Sequence, residues 1–126
     1  MRLWHEDLLR TLPKAQLLSQ HRECCALVGL GWKKKHSTVQ YALDDSLERL
    51  KAYHLRVIDE MERRGYNVGR EWYNPLYRGK RIGMDHNINP IKALTIYLTD
   101  GLIYQQHNKS YLTECVENLK SKGVEV

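Results

Sequence analysis

Apolar residues recur at helical spacing in three long stretches of the chain. In the first, Leu17, Leu18, His21, Cys24, Cys25 and Val28 fall within one stripe at 100° per residue, and Glu23 lies on the opposite side with Gln16 and Ser19. Thr11-Leu12-Pro13 predicts its start, because Thr caps exposed backbone N–H groups and Pro is tolerated only in a first turn. The helix should run to about Leu27, stopped by Gly29 and Gly31. A second, longer helix is predicted from Asp44-Asp45-Ser46 to Arg64, with Leu47, Leu50, His54, Val57, Ile58 and Met61 as its core stripe and Gly65 behind it. A third runs from Ser110 to Lys122 over Tyr111, Leu112, Cys115, Val116 and Leu119, with Gly123 as its stop.

Two further segments complete the plan. From Asn89-Pro90 to Gln105 the pattern supports either a helix, with Ile91, Leu94 and Leu98 on one face, or a hairpin turning at Asp100-Gly101; helix is preferred. Residues Trp4 to Leu9 are short and mixed, and Trp4, Leu8 and Leu9 should anchor the amino terminus on the body of the protein. The expected fold is all-α: one domain over residues 1–126, a bundle of three or four helices with the first long helix through its middle. The connections between helices are long, basic and aromatic.

Charge adds a direction. At 126 residues the chain is long enough for a core of its own, and its 42% hydrophobic and 28% charged content is that of a globular protein. Net charge is +5, which permits a polyanionic partner without requiring one. Two loops concentrate the cations. Lys33, Lys34 and Lys35 follow Trp32, and Arg78, Lys80 and Arg81 follow Trp72, Tyr73 and Tyr77 in a stretch rich in Gly and Pro. Each loop supports two readings: a nucleic-acid surface on which rings stack on bases and cations meet phosphates, or a solvated loop that folds its aromatics onto the core.

The run Gln20-His21-Arg22-Glu23, together with Met1-Arg2-Leu3 and Arg63-Arg64-Gly65-Tyr66-Asn67-Val68, resembles the phage endonuclease V type of pyrimidine-dimer DNA glycosylase over roughly the first seventy residues. The resemblance implies an all-α base-excision repair enzyme that uses its terminal amine as nucleophile and a glutamate on the first long helix as acid/base. Carried onto this sequence, Met1 supplies the amine and Glu23 the carboxylate, with Arg2 and Arg22 beside DNA. The chemistry suits those groups. An α-amine with an ordinary pKa of about 7.7–8.0 is partly neutral near pH 7, whereas a lysine at about 10.4 is not. Attack on a sugar carbon would expel the base and leave an imine, which allows strand cleavage by β-elimination. Arg2 is too large for ordinary methionine removal, so Met1 itself is the expected nucleophile. Gln16 and Ala26 stand where the family often has histidine and arginine, and the family's aromatic C-terminal tail is missing.

Cys24, Cys25 and Cys115 make an odd count without paired metal-type spacing, so reduced core thiols are expected and neither a metal nor a cofactor is. His21 and His54 sit inside apolar stripes and are read as hydrogen-bonded core residues. No apolar run approaches a membrane span and the first residues lack a signal peptide's core, so a cytoplasmic monomer acting on damaged double-stranded DNA is expected, without an obligate protein partner. Two rival classes stand beside it. A non-catalytic DNA- or RNA-binding module would tolerate loss of Glu23 and acetylation of Met1, and a protein-interaction domain would lack a steep salt dependence.

Overall fold

Leu47–Arg63 forms the longest helix and is covered on nearly every side. The computed structural model describes residues 1–126 and orders five helices: α1 (Lys14–Val28), the single turn α2 (Gln40–Leu43), α3 (Leu47–Arg63), α4 (Pro90–Leu98) and α5 (Lys109–Ser121). Short 3-10 turns at Glu6–Leu8 and Arg70–Tyr73 punctuate the connections. No strand forms, so the all-α expectation holds, and the fourth long segment, 90–98, is helix rather than hairpin. Asn89 caps it by accepting from the Lys92 N–H at 3.1 Å, Pro90 fits its first turn, and Asp100-Gly101 only closes the exit, with Gly101 at a φ of 98°.

The middle of the bundle is α3, not α1 as the apolar stripes suggest. Ten of its positions are buried against five in α1, because its polar residues outside the stripe also find partners indoors. Lys51 Nζ donates to the Tyr77 carbonyl at 2.6 Å, Tyr53 Oη to the Trp4 carbonyl at 2.6 Å, and Glu60 accepts from both Arg63 and Arg64. Ser46 caps the helix by accepting from Arg49 N–H at 3.1 Å, and Gly65 leaves it with a φ of 79°. One continuous core joins α3 to Leu3, Trp4, Leu8, Leu9 and Leu12 of the amino-terminal segment, to Leu17, Cys24, Leu27 and Val28 of α1, and to Cys115 and Leu119 of α5.

The start of α1 differs in detail from the sequence reading. Pro13, in extended conformation, is itself the cap residue, while the Thr11 hydroxyl donates back to the Leu8 carbonyl at 3.2 Å. The preceding 3-10 turn claims Thr11 because Thr11 N–H also closes on that same carbonyl. At the other end Gly29 terminates α1, and a side chain at Gly31 would drive a Cβ to 2.7 Å from the Ala26 carbonyl oxygen. No helix is long and apolar enough to cross a membrane.

Candidate active site at the amino terminus

Four consecutive backbone carbonyls at the start of the chain are each held by a side chain from a different part of the fold. Thr38 Oγ1, from the loop before α2, donates to the Met1 carbonyl; Gln20 Nε2, from α1, to that of Arg2 at 3.0 Å. Tyr111 Oη, from α5, donates to the Leu3 carbonyl and Tyr53 Oη, from α3, to that of Trp4, both at 2.6 Å. The Trp4 N–H in turn donates to Gln20 Oε1 at 2.6 Å. Leu3 and Trp4 are buried beneath this lacing, while Met1 keeps 45% of its surface exposed. A chain end is ordinarily the least ordered part of a domain. Here its backbone is tied at every step, with Met1 exposed and Arg2 partly so.

Gln20 also fixes the carboxylate. The same Nε2 that holds the Arg2 carbonyl lies 3.1 Å from Glu23 Oε2, one turn further along α1. Gln20 is fully buried, so its amide is a rigid reference shared by the terminal segment and Glu23. Met1, Arg2, Trp4, Glu23, Thr38, Asn118 and Lys122 line a cavity of about 250 Å³. Burial lifts the Glu23 carboxyl above its ordinary range, offset in part by the charges of the amino terminus, Lys122, Arg22 and His36. A half-buried carboxyl with a raised pKa, surrounded by cations, is suited to passing protons beside an anionic ligand.

The surrounding cations are placed in two ways. Arg2 lies against Trp4 and Tyr111, 5.8 Å from each ring centre, and 3.7 Å from Glu114, so much of it is spent in seating the terminus. Lys122 covers the Trp4 ring at 5.6 Å. Arg22 is exposed beside Glu23 and touches only Ser19 Oγ at 3.1 Å. Asn118 and Lys122 were missed in the sequence reading. Asn118 stands on α5 and Lys122 just past its end, nearly a hundred residues from Glu23, and nothing in their local pattern separates them from ordinary polar surface positions. Gln20 was quoted only as part of a motif; its burial depends on where the terminal segment docks.

The two cationic loops meet. Lys34, Lys80, Arg81 and Arg78 border a second cavity, of about 430 Å³, floored by Cys25, Gly29 and Gly31. Lys34, Lys35, Lys80 and Arg81 are exposed, the last two at the tip of a small loop closed by a single antiparallel bridge between Tyr77 and Met84. Lys33 is less free, since its Nζ donates to the Leu43 carbonyl at 3.3 Å from a backbone φ of 69°. Arg78 is turned inward. It donates to Asp85 and to the Val28 carbonyl, each at 2.8 Å, and so ties the loop to the end of α1.

Trp72 and Tyr73, adjacent in sequence, part company. Trp72 is half-buried and packed against Tyr77, His54 and His21, with ring centres 4.8, 5.2 and 6.2 Å away, and Lys51 Nζ sits over it at 5.2 Å. It is a wall of the fold rather than a free stacking ring. Tyr73 is exposed and donates to Glu62 Oε2 at 2.9 Å, on a different surface.

Compared with known families, residues 1–74 match the model described as pyrimidine dimer DNA glycosylase. The match takes in Met1, Gln20 and Glu23 and ends before α4 and α5. No curated protein and no solved structure matches the chain.

Proposed function

The chain belongs to the pyrimidine dimer DNA glycosylase family, and from that premise we propose that it is a base-excision enzyme with an associated strand-cleaving lyase activity, acting through its own terminal amine. The observation that carries this reading is the lacing of Met1 to Trp4: four carbonyls held by Thr38, Gln20, Tyr111 and Tyr53, with the Gln20 amide also touching Glu23. The same anchoring seats Leu3 and Trp4 in the core and fixes the backbone next to the terminal amine. For a nucleophile it is a requirement, because misplacement by about 1 Å can cost about 10²-fold in rate.

The steps follow from the groups at the cavity. The neutral Met1 amine attacks C1′ of the damaged nucleotide, and the C1′–N bond breaks with its electrons leaving on the base, which is protonated as it departs. Loss of the amine protons and opening of the sugar ring give an imine between Met1 and C1′. Removal of a proton from C2′ then expels the 3′ oxygen with its phosphate, and water releases the protein from the cleaved strand. Glu23, partly desolvated and faced by Lys122 and Arg22, is the group assigned to take and return these protons and to stabilise the cationic sugar. Lys34, Lys35, Lys80, Arg81 and Arg22 are the exposed cations available to phosphates. The substrate class is double-stranded DNA carrying pyrimidine dimers or a related base lesion.

Borohydride trapping tests the reading. On ultraviolet-irradiated or abasic duplexes the protein should form a covalent adduct that peptide mapping places on Met1, and selective acetylation of Met1 should abolish it while leaving binding intact. An adduct on a lysine would replace the terminal-amine mechanism with another. No adduct on either substrate would leave a non-catalytic nucleic-acid-binding protein.

A further inference from the structure

On the side of α1 away from Glu23, the fold gathers three side chains that sequence spacing does not connect. His21 and Cys25 are one helical turn apart on α1, and His54 faces them from α3. His21 Nδ1 and His54 Nε2 are 2.9 Å apart. Cys25 Sγ lies 3.8 Å from His21 Nε2, 3.9 Å from His21 Nδ1 and 3.9 Å from His54 Nε2. One donor atom from each residue fits within a 4.8 Å span.

We propose that His21, Cys25 and His54 form a binding site for a thiophilic d10 cation, Zn²⁺ in the first place, that staples α1 to α3. Zinc bonds of about 2.0–2.1 Å to nitrogen and about 2.3 Å to sulfur set neighbouring ligand atoms about 3.3–3.6 Å apart in a tetrahedron. The three atoms match that figure to within about 0.4 Å, closing slightly at sulfur and opening slightly between the imidazoles. Two imidazoles and one sulfur are also the donor set that favours zinc or copper over magnesium or calcium.

Three surroundings support the site. His54 is buried, so the Nε2 that faces His21 and Cys25 is shielded from bulk solvent. Burial holds both imidazoles below their ordinary pKa, leaving neutral rings with lone pairs to offer. The cavity of about 430 Å³ reaches Cys25 and supplies both a way in and solvent for a fourth coordination position. Around the cluster, Trp72 packs on both histidines and the Lys51 cation lies over Trp72; burial pushes the Cys25 thiol up to about 11, offset only in part by Lys51, so a bound cation would have to displace its proton. The cluster shares no cavity with Met1 and Glu23, so the proposal does not depend on the function proposed above.

The full-length protein, reduced and freed of metal by a chelator, can be titrated with Co²⁺ and then Zn²⁺. One equivalent of Co²⁺ should give a sulfur-to-cobalt charge-transfer band and quench Trp72 fluorescence, and one equivalent of Zn²⁺ should displace it and raise the Tm. Cys25→Ser should remove the band and the Tm rise, His21→Asn should weaken binding at least tenfold, and Cys115→Ser should change neither the band nor the stoichiometry. His21 and Cys25 are only half-buried, so their variants can fold, and circular dichroism checks that they do. Absence of the band in the wild-type protein, a band that survives Cys25→Ser, or metal uptake at several equivalents without a Tm rise would each overturn the proposal.

Discussion

Gln20→Leu is the perturbation that asks most of the terminal-amine reading, because Gln20 touches neither the sugar nor the base. Its amide oxygen accepts from the Trp4 N–H at 2.6 Å and lies 2.9 Å from the Tyr53 oxygen, whose proton goes to the Trp4 carbonyl, and its nitrogen donates to the Arg2 carbonyl and Glu23 at 3.0 and 3.1 Å. Leucine fills similar volume without these bonds. Tyr53 keeps the Trp4 carbonyl, so the main orphan is the Trp4 N–H, at about 1–3 kcal/mol, with about 0.5–1.5 kcal/mol more for the Arg2 carbonyl. The added apolar burial returns about 1–2 kcal/mol. A net loss of about 1–3 kcal/mol is expected, or a Tm lower by roughly 5–10 °C in a domain of this size. The rate of borohydride trapping should fall much further, by about 10²-fold, since the terminus and Glu23 lose their common reference. Glu23 would also lose a donor to its charged form, so its pKa should rise further and the acid limb of the pH–rate profile should move to higher pH. Arg49→Ala, whose bonds go to Asp45 and the Ile103 carbonyl and which lines no part of the Met1–Glu23 cavity, is the control and should trap at the wild-type rate. Gln20→Leu trapping as fast as wild type, with an unmoved acid limb, would refute the claim that Gln20 positions the site.

Glu23→Gln should keep the fold and DNA binding while turnover drops at least ~10²-fold. It also carries a pH signature: the Glu23 carboxyl is raised on folding, so its relative stability is present below about pH 4 and lost as pH rises through the folded value. The variant should therefore melt higher than wild type near pH 7 but not near pH 3, and equal melting at both would remove the claimed burial effect. Replacing Lys34 and Lys35 with Ala should lower the salt slope of DNA binding by about 2, with little further change from Lys33, whose amine is spent on Leu43. Trp72→Ala should cost up to about 3–5 kcal/mol in thermal unfolding, and if it instead left stability intact while weakening lesion binding, its assignment to the packed wall would fail.

The helices and their ends were legible in the sequence because the determinants are local. Spacing at 3.6 residues marked the stripes of α1, α3 and α5, Ser46 and Asn89 marked starts, and Gly29, Gly65 and Gly123 marked stops. The resemblance in Gln20-His21-Arg22-Glu23 supplied Met1 and Glu23 as a pair, and both line one cavity. What local pattern does not encode is the partner of each polar group. Arg78 and Lys34 look alike as loop cations, yet Arg78 is committed to Asp85 and Val28 while Lys34 stays exposed. Trp72 and Tyr73 are neighbours with opposite environments, and α3 became the central helix because Lys51 and Tyr53 found partners from distant segments. The closing of the amino terminus under Gln20, Tyr53 and Tyr111, the arrival of Asn118 and Lys122 beside Glu23, and the meeting of His21, Cys25 and His54 all depend on docking between segments far apart in the chain. Periodicity fixes which face a helix buries, but only packing decides what that face meets.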